Sequence, residues 1–164
     1  MERAKELFIT GLRNAHAMES QAHEILERQI GRTEEYPEIR KRLREHLSET
    51  KEQLKRLERC LKDLDSGPSK VKDMVLAFGA NIAALGHAIA PDEILKNTFA
   101  NSALENYEIA AYKSLIAMAE ESGVRMKTIL QESLREEERM ADWVAKNVEA
   151  VTLEYMKKKE RAAA

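Results

Sequence analysis

FITGLRNAHAMESQAHEIL, residues 8–26, reads as one face of a long helix with a charge where the apolar stripe should run. At about 100° per residue, Phe8, Leu12, Ala15, Ala22 and Leu26 fall on one side, and Glu19 lies at the centre of that side. His16 and His23 flank it at the edges of the stripe. No stretch shows sustained period-two alternation of branched or aromatic residues, while Ala, Leu, Glu, Lys and Arg dominate. The expected class is all-α. A carboxylate on a buried helix face is costly unless protons, basic partners or metal ions neutralise it.

The same anomaly recurs on three further helical stretches. One carries Ile39, Leu43, Leu47, Thr50, Leu54, Leu57, Leu61 and Leu64 along its apolar side, with His46, Glu49 and Gln53 as a polar strip on one margin. Another has a stripe of Leu104, Ala111, Tyr112, Leu115 and Ala119, centred on Glu108, with Glu105 a turn earlier near the edge. The last has Met126, Leu130, Ser133, Leu134, Ala141, Val144 and Val148 centred on Glu137, whereas Glu132, Glu136 and Glu138 turn toward solvent or the margins. Few basic residues point inward with these acids, so metal ions become the leading neutraliser.

Sparse punctuation divides the chain into helical lengths. Pro37, Pro68 and Pro91 read as first-turn prolines, and Gly31 and Gly123 as stops. The predicted helices cover residues 4–28, 37–65, 68–90, 91–121 and 124–157, and the tail from about 158 is expected to fray. Long helices joined by short loops favour an antiparallel four-helix bundle, with the shorter Ala- and Gly-rich helix between the two hairpins as an addition. The 164 residues form one expected domain, 1–164, large enough for a core without staples. Residues equidistant from a hairpin turn meet at one level, and Glu19 with His46, and Glu108 with Glu137, each straddle a turn almost symmetrically, with Glu49 a turn beyond.

Hard oxygen ligands from four helices completed by imidazole suit iron or manganese, in the manner of dinuclear carboxylate centres. Candidate ligands are Glu19, His46, Glu49, Glu105, Glu108 and Glu137. The usual Glu-x-x-His pair of such bundles does not occur. His46-x-x-Glu49 and Glu105-x-x-Glu108 stand instead, and Met140 follows Glu137 where a histidine would help.

Composition narrows the partners. A formal net charge of -2 gives no field that would gather nucleic acid or anionic lipid. The uncharged run 74–90 is interrupted by Gly79, Asn81, Gly86 and His87 and reads as a buried helix rather than a membrane span. Its small residues permit close helix contact, within the fold or across a homodimer. A phosphate-binding loop is excluded, since no strand precedes Gly79 and no Lys-Ser/Thr follows it. One cysteine, Cys60, and an N-terminal stretch without a continuous apolar core point to a cytoplasmic location.

Four segments, FITGLRNAHAMESQ (8–21), RLREHLSETKEQLKRLE (42–58), NSALENYEIAAYKSLIAMAE (101–120) and QESLREEERMADW (131–143), together resemble the YciE/YciF-like ferritin-like proteins, a bacterial group. The resemblance implies a ferritin-like fold, and an iron-binding role associated with stress responses. Joined to the acidic pattern, it gives the leading expectation of a carboxylate-rich core site that oxidises iron or consumes peroxide. The competing expectation is a non-catalytic stress or interaction bundle whose acids share protons or pair with Arg and Lys. A metal-dependent hydrolase and an iron-storage cage rank below both.

Overall fold

A computed structural model describes residues 2–64 and 92–163. Four helices account for nearly all of them: α1 (Glu2–Arg32), α2 (Pro37–Asp63), α3 (Glu93–Glu121) and α4 (Lys127–Ala163). The predicted helix at 68–90, its His87 and its small-residue face lie outside the described residues. Among the described residues no helix is long and apolar enough to cross a membrane.

The turns follow from local chemistry. Pro37 opens α2, where its missing N–H removes no helical bond. Gly31 remains inside α1, and the Thr33 hydroxyl donates to the carbonyls of Gln29 and Ile30 at 3.0 and 3.4 Å, closing the helix one turn past the predicted end. Gly123, at φ 69°, ends α3 in the left-handed region. Its N–H donates to Glu120 O at 3.1 Å, and the N–H of Val124 donates to Ala119 O at 3.0 Å, the paired bonds that satisfy a helix C-terminus. At the far end α4 is helical to Ala163, past position 158. Strong helix formers fill those turns, and Lys158 lies 5.0 Å over the Tyr36 ring.

Cross-helix bonds fix the directions. Arg32 meets Glu93, Gln29 meets Asn101 and Glu19 meets Tyr112, so α1 and α3 run antiparallel. Arg56 meets Glu132, Gln53 meets Glu137 and Glu49 meets Arg139, so α2 and α4 are antiparallel too. With two antiparallel hairpins, α2 and α3 point the same way, which places the end of α2 and the start of α3 at opposite ends of the bundle. That is the connectivity of a ferritin-like four-helix bundle. The hairpins are closely packed internally, α1 against α3 less so, and α2 against α4 forms the thinnest of these seams.

Two apolar clusters fill the ends. Phe8, Leu12, Leu57, Leu61, Leu115 and Leu130 pack toward the α3–α4 turn, and Leu26, Ile39, Leu43, Ile94, Met140 and Val144 toward the α1–α2 turn. Full burial of each large side chain contributes about 1.5–3 kcal/mol. Near the second cluster, Gln29 and Asn101 exchange two hydrogen bonds of 2.9 Å in a buried, reciprocal amide pair. Between the clusters lies a polar layer, and every helix supplies part of it.

Candidate metal centre

Helical phase places the polar layer. On α3, Glu105, Glu108, Tyr112, Leu115 and Ala119 share one buried line, and on α4 Leu130, Ser133, Glu137, Met140 and Val144 do the same. On α1, Glu19 sits between Ala15 and Ala22 as the sequence implies. The buried line of α2 runs through Ile39, Leu43, His46, Thr50, Gln53 and Leu57, whereas Leu47 and Leu54 are only partly buried. The expected margin of α2 is therefore its centre. Acids from the other three helices give His46 and Gln53 partners that no leucine would provide.

Ligating atoms of His46, Glu105, Glu108 and Glu137 all lie within 4.8 Å of one another, and all four residues are buried. His46 Nε2 is 3.3 Å from Glu105 Oε2 and 3.5 Å from Glu137 Oε2. Gln53 donates its amide N–H to Glu137 Oε1. Glu19, at 0% exposure, accepts the Tyr112 hydroxyl at 2.6 Å. Glu49 stands outside the cluster, with 22% of its side chain exposed. One of its oxygens is 3.0 Å from His46 Nδ1, and it accepts from Arg42 at 3.3 Å and Arg139 at 3.4 Å. Four of the six candidate ligands thus form one group, Glu19 lies against the same layer, and Glu49 backs the histidine.

Electrostatics record the cost of this packing. Burial pushes the Glu19 carboxyl up to about 8, against the lowering effect of the Tyr112 bond, with repulsion from Glu105 and Glu136 adding to it. Burial also drives Glu108 well above the usual carboxylate range, reinforced by Glu137, Glu19 and Glu105. Glu137 is raised by burial and by Glu19, with His46 opposing. For His46 burial favours the neutral ring, but Glu105, Glu49 and Glu137 override it and hold its pKa well above the ordinary value. Burial would raise Glu49 as well, yet His46, Arg42 and Arg139 bring it below its normal value. The Tyr112 phenol rises through burial and the Glu19 charge.

Several oxygens have no hydrogen-bond donor among the described residues: both on Glu108 and Oε2 of Glu19. Unsatisfied buried carboxylate oxygens are rare because each forfeits its hydration. Three carboxylates and one imidazole match a divalent first-row metal, whose charge would neutralise the layer and use those lone pairs. The residues therefore fit such an ion.

Flanking residues complete the layer in ways the pattern of charges hid. Arg56 bonds Glu136 through both guanidinium ends at 2.6 and 2.9 Å and reaches Glu132 at 2.8 Å, joining α2 to α4. Glu136, expected at a solvent margin, is buried by that pairing. Its signal was the i, i+3 relation of Gln53 to Arg56, which puts the guanidinium one turn from the core amide. Tyr112, which the sequence places in the apolar stripe of its helix, supplies the donor for Glu19. Met140 is fully buried three residues after Glu137, and His16 and His23 sit at the helix edges beside Glu58 and Glu27, 3.3 and 3.6 Å away.

Known proteins share this architecture. A protein from Xanthomonas campestris pv. campestris superposes with a TM-score of 0.81 at 26% identity, covering 96% of this chain and 99% of its own. YcfI from Rhodopseudomonas palustris gives 0.69 at 26% identity, over 87% of this chain and 92% of its own. The E. coli stress protein YciF gives 0.71 at 21% identity, over 93% of this chain and 98% of its own, a likeness of fold. Residues 3–157 match the family described as Domain of unknown function (DUF892). Matched over nearly its whole length, the chain belongs to that family, the YciE/YciF-like proteins.

Proposed function

We propose that the polar layer binds iron or manganese, and that the protein uses the bound metal to oxidise ferrous iron or consume peroxide during stress. The observation that carries this reading is the buried His46, Glu105, Glu108 and Glu137 group, whose acids outnumber their donors. His46, Glu105, Glu108 and Glu137 would hold the first ion, and Glu19 brings a further carboxylate toward a dinuclear centre. Bound iron or manganese supplies the change of oxidation state that this chemistry needs.

The chain's own residues do the rest. Without metal, burial and the neighbouring acids favour protons on Glu108 and Glu137 over bare charge, so metal uptake is coupled to proton release. The Tyr112 hydroxyl fixes one oxygen of Glu19 and leaves the buried Oε2 without a donor among the described residues. Apolar clusters above and below exclude water, which strengthens every charge interaction between them. A stress role follows the family resemblance and the description of YciF. A cytoplasmic setting suits a chain whose only cysteine, Cys60, is buried and reduced.

A non-catalytic bundle would instead need its acids neutralised by shared protons or by Arg and Lys. Arg56 offsets Glu132 and Glu136, which lie outside the four-residue group, so within that group His46 stands alone as a base. Elemental analysis decides between the two readings. Protein purified without a metal-affinity step and loaded anaerobically is expected to retain iron or manganese at one or two ions per chain. Glu108→Gln should lose most of it. Wild-type protein that retains neither metal sinks the proposal, and retained metal without oxygen or peroxide consumption removes the redox half of it.

A further inference from the structure

We propose that Glu49 is a positioning residue of the metal centre rather than a ligand. From the seam between α2 and α4 it fixes the His46 ring so that Nε2 faces Glu105 and Glu137. The inference rests on the metal-binding reading above and assigns a distinct role within it.

An imidazole that ligates through one nitrogen carries its proton on the other, and the bond made by that second nitrogen sets tautomer and ring orientation. Glu49 lies one turn along α2 from His46 and holds Nδ1 at 3.0 Å. The opposite nitrogen, Nε2, is the one 3.3 Å from Glu105 and 3.5 Å from Glu137. Glu49 is itself tethered from outside, its Oε2 to Arg42 at 3.3 Å and its Oε1 to Arg139 at 3.4 Å. These arginines line a groove of about 550 Å³ with Glu45, Asp142, Trp143 and Lys146. To become a ligand, Glu49 would have to leave His46 and both arginines and move from a partly exposed seam into the buried layer. As a backing group it keeps all three partners. The line Arg42/Arg139, Glu49, His46, Glu105/Glu137 thus runs from surface to core, each bond orienting the next.

Cobalt(II) titration of the metal-free protein, followed by visible absorption, tests this assignment. Glu49→Ala is expected to bind Co²⁺ with unchanged stoichiometry and about 10- to 100-fold weaker affinity. Glu49→Gln, whose amide oxygen still accepts from Nδ1–H, should recover most of that loss with the wild-type Co²⁺ spectrum. Unchanged affinity in Glu49→Ala overturns the proposal, as does a Glu49→Gln protein that fails to recover and shows an altered spectrum, the signature of a lost ligand. A second measurement is independent of metal. In ¹⁵N-labelled metal-free protein the His46 Nδ1–H resonance should be protected from exchange in wild type and Glu49→Gln and absent from Glu49→Ala. If wild type takes up no Co²⁺, the metal reading fails by itself. The ring resonance then decides the role of Glu49 alone, and its persistence in Glu49→Ala overturns the positioning assignment.

Discussion

Tyr112 and Glu19 show how one hydroxyl changes the standing of a buried acid. The phenol is fully buried, and its O–H ends 2.6 Å from Glu19 Oε1, a single donor for a carboxyl that also feels Glu105, Glu136 and the opposing charge of His46. Tyr112→Phe keeps the ring and removes that donor, leaving Glu19 unsatisfied at both oxygens. The expected cost is about 1–3 kcal/mol of metal-free stability, read by urea denaturation. In a Glu19→Gln background the same change should cost measurably less, because the double-mutant cycle removes the charged partner. Indifference to Tyr112→Phe in the wild-type background would mean that the bond adds nothing to stability.

The joints between helices carry the next level of organisation. Arg56 grips Glu136 by two bonds across the α2–α4 seam, with both side chains largely buried. Arg56→Ala strands a buried carboxylate in the thinnest of the principal helix contacts, and a loss of about 2–4 kcal/mol is expected in chemical denaturation. Arg56→Lys should restore only part of it, since an ammonium cannot reproduce the planar two-point contact. The hairpins were readable in advance because Pro37 and Gly123 act through local backbone geometry, which needs no partner to be recognised. Glu19, Glu108 and Glu137 were readable because each interrupts an apolar stripe at its centre. The true face of α2 was not. Leu47 and Leu54 drew the stripe toward themselves, and only the acids of other helices explain why His46, Thr50 and Gln53 turn inward. Glu105 was placed near an edge for the same reason, since its burial depends on His46 across the bundle. Glu136 reads as solvated charge because its pairing with Arg56 joins residues 80 apart in the chain.

Taken as a whole, the molecule holds its acidic layer against its own electrostatics, so metal-free stability depends on pH. Glu19, Glu108 and Glu137 have folded-state pKa values above those of the unfolded chain, and His46 is raised as well. Between the two values the folded state binds more protons. Stability from these groups is therefore complete below the unfolded values and falls as pH rises through the folded ones. For Glu19 that window runs from the model-compound value of 4.5 to about 8. Melting temperature of the metal-free protein should decline from pH 5.5 to pH 8.5, and saturating Mn²⁺ should flatten that decline. A profile that rises over this range would contradict the burial of these acids. The amide pair of Gln29 and Asn101 gives the assembly its tolerance. Each side chain both gives and receives, so only one axial offset of α1 against α3 satisfies both bonds. A slip of one helical turn, about 5.4 Å, would carry Glu19 of α1 out of reach of the Tyr112 hydroxyl on α3. The pair is the keyed joint of the bundle: two neutral amides set the one alignment of α1 at which Glu19 meets the acidic layer that the other three helices build.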